Sequence, residues 1–432
     1  MQNNYNAPIS VLLRRIGITP GKKSLVFFIS LVAVTVPAAH VYNSFAVICF
    51  VLFSVLSASR NNMKPAGALL IPIALYGLMA LSLLWSPNTK ITAAALGKEA
   101  ALLFIPLAFI LNRPLPPRSI NAVLKNFSLA MCVFAIFLIG RAFVRYVIEG
   151  NPAVFFNNEL ASQSISVYLA TFFSLALFVF LVKERQTYWG YAATAFLLVM
   201  VMLLSRRVII ITDLFIIAAY YIITPGFMVK KRIMLISGFF VLGAAFIAFG
   251  NLSGQTFPTN KNLQGSNQHT VSISEAWNKD TFSPHDGFTG PAFRAYRARM
   301  LVQMSQEKGF ILTGAGLNAS GAKVQQIAQQ DNTTHTGWDN TPYSKLNFHN
   351  QYMEIYADLG IFGLILVLVL VVYNFVKAVK NKYFIHIAFS ILMISLFLTE
   401  SFLWRQKGVV FFTLFYCLFN DYKPLRQLKK TQ

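Results

Sequence analysis

The feature that most constrains the fold is a series of long apolar runs separated by short basic clusters. The chain has 432 residues, of which 56% are hydrophobic and only 12% are charged. A typical soluble domain carries about 25% charged residues, so this chain has about half the usual share. Helices suit a lipid solvent because each one satisfies its own backbone hydrogen bonds. The sequence therefore predicts an all-α polytopic membrane protein.

Twelve apolar segments are candidates for membrane-spanning helices. They lie at about 24–39, 41–58, 66–85, 93–112, 122–140, 163–182, 190–205, 208–224, 233–250, 357–376, 383–400 and 409–420. Several are shorter than the ~20 residues that a full span needs, so tilt, extension beyond the apolar run or a re-entrant segment stays open.

The distribution of basic residues predicts the orientation. If the N-terminus lies inside, the inside segments hold 21 Lys and Arg residues and the short outside connections hold seven. Such a bias marks the cytoplasmic side, so both termini are predicted to be cytoplasmic. The net charge of +22 is then explained by topology signals and anionic headgroups, and no nucleic-acid partner is expected. The chain divides into helices 1–9 (1–250), a large outward-facing loop (251–356), and helices 10–12 with a tail (357–432).

The large loop differs in composition from the rest of the chain. Residues 251–292 are rich in Asn, Ser, Thr, Gly and Pro and are predicted to be irregular. Residues 293–308 have apolar side chains at helical spacing (Phe293, Tyr296, Met300 and Met304), which predicts an amphipathic helix that stops at Gly309. Residues 314–347 are again predicted to be loop, and a helix begins near His349.

Two groups of arginines are candidates for binding an anion. Arg206 and Arg207 interrupt two apolar runs on the predicted outer side, and Asp213 follows Arg206 by two helical turns. One interpretation is an arginine at the membrane interface that pairs with Asp213 inside the protein. The other is a site that binds an anion, since one guanidinium group can donate two parallel hydrogen bonds to a phosphate. Arg294, Arg297 and Arg299 form the second group, and a solvated helix face is the alternative there.

His349 and the pair Lys98–Glu99 are further candidates. His349 lies where the loop enters a span, and a lone histidine there is either structural or a proton acceptor suited to neutral pH. Tyr352 shares its helical face. Lys98 and Glu99 fall within the fourth predicted span, where a charge marks either a site or a structural pair between helices. The histidines lack metal-ligand spacing and the three cysteines lie in apolar runs, so no metal site is predicted.

Three sequence stretches resemble the O-antigen ligase and O-antigen polymerase superfamily of integral-membrane glycosyltransferases. They are LLSRRVIIITDLF, FRAYRARMLVQMSQEKGFILTGAGL and FHNQYMEIYADLGIFGLIL, and the third match is the most specific. The resemblance implies a C-type glycosyltransferase-like fold with about 12 spans, a large periplasmic loop and an inner-membrane location. It also implies a role in lipopolysaccharide biosynthesis, with no metal or other cofactor.

The resemblance assigns roles to individual residues. His349 matches the family histidine and is the expected catalytic base. Arg206 matches the first family arginine and Arg297 best fits the second, while Arg207 and Arg294 are further candidates for binding the donor diphosphate. Arg299 stays open as an alternative to Arg297. Asp213 and Tyr352 are expected to support these residues.

The expected reaction transfers a glycan from undecaprenyl diphosphate to lipid A–core oligosaccharide at the periplasmic face. An O-antigen polymerase, which uses a second carrier-linked glycan as acceptor, is the nearest alternative. A transporter or flippase for an anionic lipid is the alternative of another class, but the sequence has no clear inverted repeat or pair of broken helices to support it.

Overall fold

A computed structural model describes most of the chain and shows a mainly helical protein. The residues that it describes are 21–58, 67–112, 114–161, 165–183, 187–204, 207–224, 228–253, 269–335 and 341–421. Arg206, a predicted site residue, lies outside these ranges.

Each of the twelve apolar segments overlaps at least one helix. These helices are Lys22–Thr35, His40–Leu56, Gly67–Leu81 with the 3₁₀ turn Ser82–Leu84, Thr89–Glu99 with Ala101–Leu111, Pro117–Glu149, Ser166–Lys183, Tyr188–Leu203, Arg207–Ile223, Val229–Ser253, Gln351–Lys380, Phe384–Phe397 and Gln406–Asn420. A short helix, Asn157–Ala161, and the 3₁₀ turns Pro152–Phe155 and Phe402–Trp404 lie in the connections.

Within the described residues, five helical segments are long and apolar enough to cross a membrane. They are Gly67–Leu84, Thr89–Leu111, Pro117–Glu149, Ser166–Lys183 and Gln351–Lys380. These segments confirm the prediction of an all-α multi-pass membrane protein. The number of twelve spans and the orientation stay predictions.

The centre of the helix bundle is formed by Ser166–Lys183 and Gln406–Asn420. Every residue from Lys407 to Asn420 is buried, as are nearly all of Ser166–Lys183. Phe411 contacts Phe172 and Phe415 with ring centroids 4.7 and 5.0 Å apart. The apolar segment 409–420 is short because its helix is enclosed by other helices and need not match the thickness of the lipid alone.

The connections between helices meet at two ends of the bundle. At one end, Lys407 donates to the carbonyl of Pro37 and Gln406 donates to Ser44. At the other end, the amide of Leu115 donates to Asp421. The predicted alternation of the spans puts these connections at the same two ends. We call the end near Lys407 the unit end, because the polar unit, which is the folded part of the predicted large loop, packs there.

The polar unit (residues 269–335 and 341–350) has its own apolar core and more regular structure than predicted. Its elements are the parallel strand pair His269–Val271 and Asp286–Phe288, and the helices Ile273–Asn278, Gly290–Ser305, Phe310–Thr313 and Ser320–Gln330, followed by the 3₁₀ turn Tyr343–Lys345. The prediction of an irregular segment over 251–292 was therefore wrong for residues 269–271, 273–278, 286–288 and 290–292, and that of a loop was wrong for 320–330. Ala- and Gln-rich helix formers fill 320–330, and the nearby glycines obscured them.

A glycine turn docks the polar unit onto the helix Gln351–Lys380, which we call the long helix. Gly360 interrupts the long helix with φ +63°, and a Cβ there would lie 2.4 Å from the carbonyl of Leu312. Gly314 has φ +65°, and its Cβ would lie 2.5 Å from the backbone of Asp358. Only glycine permits both the left-handed backbone and this close approach.

Candidate active site

The helix Gly290–Ser305, which we call the arginine helix, presents one apolar face to the core of the polar unit. Thr289 caps its first turn by accepting from the amide of Ala292, and Pro291 occupies a position where no amide is needed. The predicted apolar face is confirmed, since Phe293, Tyr296, Met300 and Met304 are all buried. The helix ends at Ser305, before the predicted stop at Gly309.

Arg297 is fully buried on this helix, which the sequence pattern did not indicate. Its Nη2 donates to the carbonyl oxygens of Tyr343 and Leu346, each at 2.6 Å, and its guanidinium lies 4.8 Å from the Phe293 ring centroid. Burial lowers the pKa of Arg297 to about 10, so it stays charged at neutral pH. Arg297 thus holds the segment that precedes His349 in place. A glycan donor could contact Arg297 only if that segment moved.

Arg299 is also committed to the interior of the polar unit. It forms an ion pair with Asp331 and donates to the carbonyl of Lys279. Tyr296 donates to the same carboxylate of Asp331 at 3.0 Å. This arrangement joins the arginine helix to the end of Ser320–Gln330, and makes Arg299 a structural residue of the unit.

Arg294 lies at the edge of the polar unit, where that unit meets the helix bundle. Its Nε donates to the carbonyl of His349 at 3.1 Å, and its Nη2 donates to the carbonyl of Thr399 at 2.7 Å. The Arg294 side chain is only partly buried. Of the three arginines of the helix, Arg294 is the one that contacts the backbone of both His349 and the connection after Phe384–Phe397.

His349 is held in a left-handed backbone conformation with φ +48° just before the long helix. Its amide donates to Asn347, and Asn350 caps the long helix by accepting from the amides of Tyr352 and Met353. A non-glycine residue in this conformation persists only where its surroundings hold it there. The backbone conformation thus fixes the direction of the His349 side chain, while Asn350 caps the long helix.

Glu400 is the partner of His349 and is the residue that sequence reasoning missed. The Nδ1 of His349 lies 3.3 Å from the Oε2 of Glu400, and the two side chains are 22% and 20% exposed. A carboxylate at Nδ1 orients an imidazole and favours the tautomer whose lone pair is on Nε2. The only signal in the sequence was an acidic residue at the end of the apolar segment 383–400.

Three further bridges join the start of the long helix to the connection 398–405. Asn350 donates to the carbonyl of Leu398, Gln351 accepts from the amide of Leu403, and the buried Glu354 accepts from Ser401 at 2.8 Å. Glu354 also accepts from the amide of Phe348. These contacts fix Glu400 relative to His349, although a whole helical hairpin separates the two in sequence.

The remaining predicted site residues lie elsewhere or outside the described ranges. Arg207 is exposed at the first position of Arg207–Ile223. Asp213 is buried on that helix and accepts from Ser174 at 2.6 Å, which joins it to Ser166–Lys183. Tyr352 packs its ring 6.2 Å from that of Phe397. The proposed pairing of Asp213 with Arg206 is untested, because Arg206 is not described.

Lys98 and Glu99 are separated by the fold. Glu99 is buried, whereas Lys98 is exposed with its Nζ 5.7 Å from the ring centroid of Trp404. Both residues nevertheless belong to Thr89–Leu111, one of the five candidate membrane spans, in agreement with the prediction that they fall within the fourth span. Within the described residues, no group of three His, Cys, Asp or Glu side chains has the geometry of a metal site.

These observations define a class of protein: a multi-pass helical membrane protein whose polar unit brings a carboxylate-paired histidine and an arginine to one end of the bundle. The model of the O-antigen ligase family matches residues 191–368. This match confirms the resemblance of the motifs and supports membership of the O-antigen ligase family. The matched region includes Arg207, Arg294, Arg297 and His349, whereas Glu400 lies beyond it. No curated protein sequence matches the chain.

Members of this family are glycosyltransferase-like enzymes, and the match supports a ligase-type or polymerase-type function in the assembly of lipopolysaccharide or a related polysaccharide. The lipid bilayer and a lipid-linked glycan are the partners that such a function suggests.

Proposed function

We propose that the protein is an O-antigen ligase, which transfers a glycan from undecaprenyl diphosphate to lipid A–core oligosaccharide at the periplasmic face of the inner membrane. The observation that carries this proposal is the joint placement of His349, Glu400 and Arg294 at the unit end of the bundle. A base and a cation beside a membrane surface suit the transfer of a group from a lipid-borne diphosphate to a hydroxyl.

His349 acts as the general base in this proposal. With its Nδ1–H directed to Glu400, Nε2 takes the proton of the acceptor hydroxyl. The hydroxyl oxygen then forms a bond to the anomeric carbon as the bond from that carbon to the phosphate oxygen breaks. The electron pair leaves with the diphosphate, and direct attack inverts the anomeric centre. Glu400 stabilises the imidazolium that forms.

The leaving diphosphate gains negative charge, which a nearby guanidinium stabilises. Arg294 is the arginine whose position beside His349 supports this role. Arg206 and Arg207 remain predicted donor-binding residues from the motif match, with Asp213 as their support. Arg297 has a positioning role in this proposal. It holds the backbone of Tyr343 and Leu346, which precede His349 in sequence.

The periplasmic placement rests on the excess of basic residues in the connections at the opposite end of the bundle, and on the lipid-carried donor. An O-antigen polymerase is the alternative, since the same base and cation would serve a second carrier-linked glycan as acceptor. The two differ in the product that accumulates without the protein: long carrier-bound chains for a ligase, and single repeat units for a polymerase.

The test is transfer in proteoliposomes that contain purified protein, carrier-linked glycan and lipid A–core. We expect a covalent product that needs both substrates and is lost in His349→Ala. His285→Ala is the matched control, because His285 is an exposed histidine of the same polar unit. Uptake of lipid without a covalent product, or near wild-type turnover in His349→Ala, would overturn the proposal.

A further inference from the structure

Trp404, four residues after Glu400, has two exposed basic side chains near its ring. The Nζ of Lys98 and the Cζ of Arg405 each lie 5.7 Å from its ring centroid. Lys98 belongs to the helix Thr89–Glu99, and Arg405 directly follows the 3₁₀ turn Phe402–Trp404. Two separate segments therefore bring like charges to one aromatic ring.

The ring is fixed by the polar unit. Its Nε1 donates to the side-chain oxygen of Asn318 at 2.8 Å, and the amide of Asn318 donates to the buried Asp358 at 2.8 Å. Thr92, near the start of the helix that carries Lys98, donates to the carbonyl of Leu317. That helix thus contacts the polar unit through Thr92, and its Lys98 lies over an aromatic ring that the polar unit holds in place.

The positive charge of this surface is not neutralised by a neighbouring acid. Among the residues that the structure describes, neither Lys98 nor Arg405 forms an ion pair. Glu99 is buried, and its position next to Lys98 on a helix turns it about 100° away. Two cationic side chains near one ring attract an anion to that surface.

The acidic group closest in sequence to the ring, Glu400, is committed to His349, and Asp358 is committed to Asn318 and Ser320. The surface made by Lys98, Trp404 and Arg405, which we call the basic tryptophan site, is therefore cationic and anchored.

Large apolar side chains are exposed near the start of the helix that carries Lys98. Leu84 and Ile91, which flank the start of that helix, are large apolar side chains exposed on the protein surface. Tryptophan is typical of the boundary between lipid and water, and basic side chains at that depth meet phosphate groups.

We propose that the basic tryptophan site binds a phosphate group of the membrane-anchored saccharide that accepts the glycan. This inference rests on the proposed transferase function, which requires two substrates at one base. Along the connection 398–405, Arg294 contacts Thr399 on one side of Glu400, and the basic tryptophan site lies on the other. The first position suits the donor diphosphate, and the second suits an anionic acceptor. The two positively charged groups are then separated along the connection 398–405, with Glu400, the partner of His349, between them in sequence.

A kinetic cycle tests the acceptor assignment. Wild-type protein and Lys98→Ala/Arg405→Ala are assayed with lipid A–core that carries its phosphates and with the same acceptor after phosphatase treatment. We expect the double variant to raise KM for the phosphorylated acceptor about 10-fold, the loss of two charge contacts at a partly screened surface. The value of kcat and the KM for the donor should stay unchanged.

Dephosphorylation should raise the wild-type KM by a similar factor and leave the KM of the double variant unchanged. Lys90→Ala, which removes an exposed lysine from the other end of the same helix, is the matched control. An equal loss on both acceptors, an effect on the donor KM, or the same effect in Lys90→Ala would overturn the proposal.

A binding measurement separates this proposal from the transferase function. Native mass spectrometry of detergent-solubilised protein is performed with bisphosphorylated lipid A, with its dephosphorylated form, and with phosphatidylglycerol. We expect retention of bisphosphorylated lipid A that depends on Lys98 and Arg405 even if transfer is not observed. Equal retention of phosphatidylglycerol would assign the site to a bulk lipid headgroup and overturn its role in acceptor recognition.

Discussion

Two histidines on either side of the bundle show how surroundings decide what the same side chain can do. His349 lies at the unit end, about one fifth exposed and paired with the carboxylate of Glu400. His386 lies at the opposite end, fully buried, with its Nε2 2.8 Å from the amide oxygen of Asn374 and its ring stacked on Phe419. The first can meet a substrate and gain a proton; the second joins helices.

His386 belongs to a polar network between three helices of the bundle. Asn374 also contacts Ser390 and Asn420, at 2.8 and 2.7 Å, so its amide connects Gln351–Lys380, Phe384–Phe397 and Gln406–Asn420. Such polar contacts between helices contribute about 0.6 kcal/mol each on average. The comparison indicates that accessibility and a charged partner, and not the presence of a histidine, mark the active site.

The same substitution at the two histidines tests whether only His349 is catalytic. We expect His349→Gln to lower kcat by about 10²–10⁴-fold, the usual contribution of a positioned general base, with little change in thermal stability. His386→Gln should keep kcat within a few-fold of wild type and lower the melting temperature. Turnover and thermal unfolding of both variants in the same detergent make the comparison, and a larger activity loss at His386 would contradict it.

The two neighbouring arginines of one helix give the next largest effect. Arg294→Ala should lower kcat by about 10–10²-fold with the fold intact, because it removes a charge near the leaving diphosphate. Arg297→Ala leaves two buried carbonyl groups without their donor and should destabilise the polar unit by about 3 kcal/mol.

Circular dichroism melting and single-turnover assays separate these two roles. Arg297→Lys keeps the charge but not the geometry of the two hydrogen bonds, and is expected to restore stability only in part. A stable, inactive Arg297→Ala would instead support direct contact between Arg297 and the donor, as the motif match suggested.

The seam between the polar unit and the long helix gives a smaller effect. Gly360→Ala combines a left-handed backbone with a Cβ 2.4 Å from the Leu312 carbonyl, and should cost about 2 kcal/mol or more. Gly309→Ala is the matched control, since its φ is +85° but its Cβ would meet no atom within 4 Å. We expect a loss of about 1 kcal/mol there. Equal melting temperatures for the two variants would show that the close approach at Gly360 is not required.

The contrast between predicted and missed features has a physical basis. Apolar periodicity predicted the helices and the buried face of Phe293, Tyr296 and Met300, because burial of apolar surface dominates those elements. It did not predict the burial of Arg297, which depends on carbonyl groups supplied by Tyr343 and Leu346. A polar side chain that is buried because it donates hydrogen bonds to backbone carbonyls gives no periodic pattern in the sequence.

The same reasoning explains the candidate site. His349 was predicted because it lies where the large loop enters a span and matches a family motif. Glu400 was missed because it acts only through a contact made after Phe384–Phe397 has folded back against the long helix. Hydrogen bonds between segments that are distant in sequence cannot be deduced from either segment alone.

A double-mutant cycle on His349 and Glu400 measures most directly whether the two side chains act as one catalytic unit. We expect Glu400→Gln to lower kcat by about 10–10²-fold, because it removes the charge that orients and stabilises the imidazole. In the His349→Ala background the same substitution should have no further effect, since residues that act as a unit are non-additive. Losses that multiply in the double variant would contradict the pairing of His349 with Glu400.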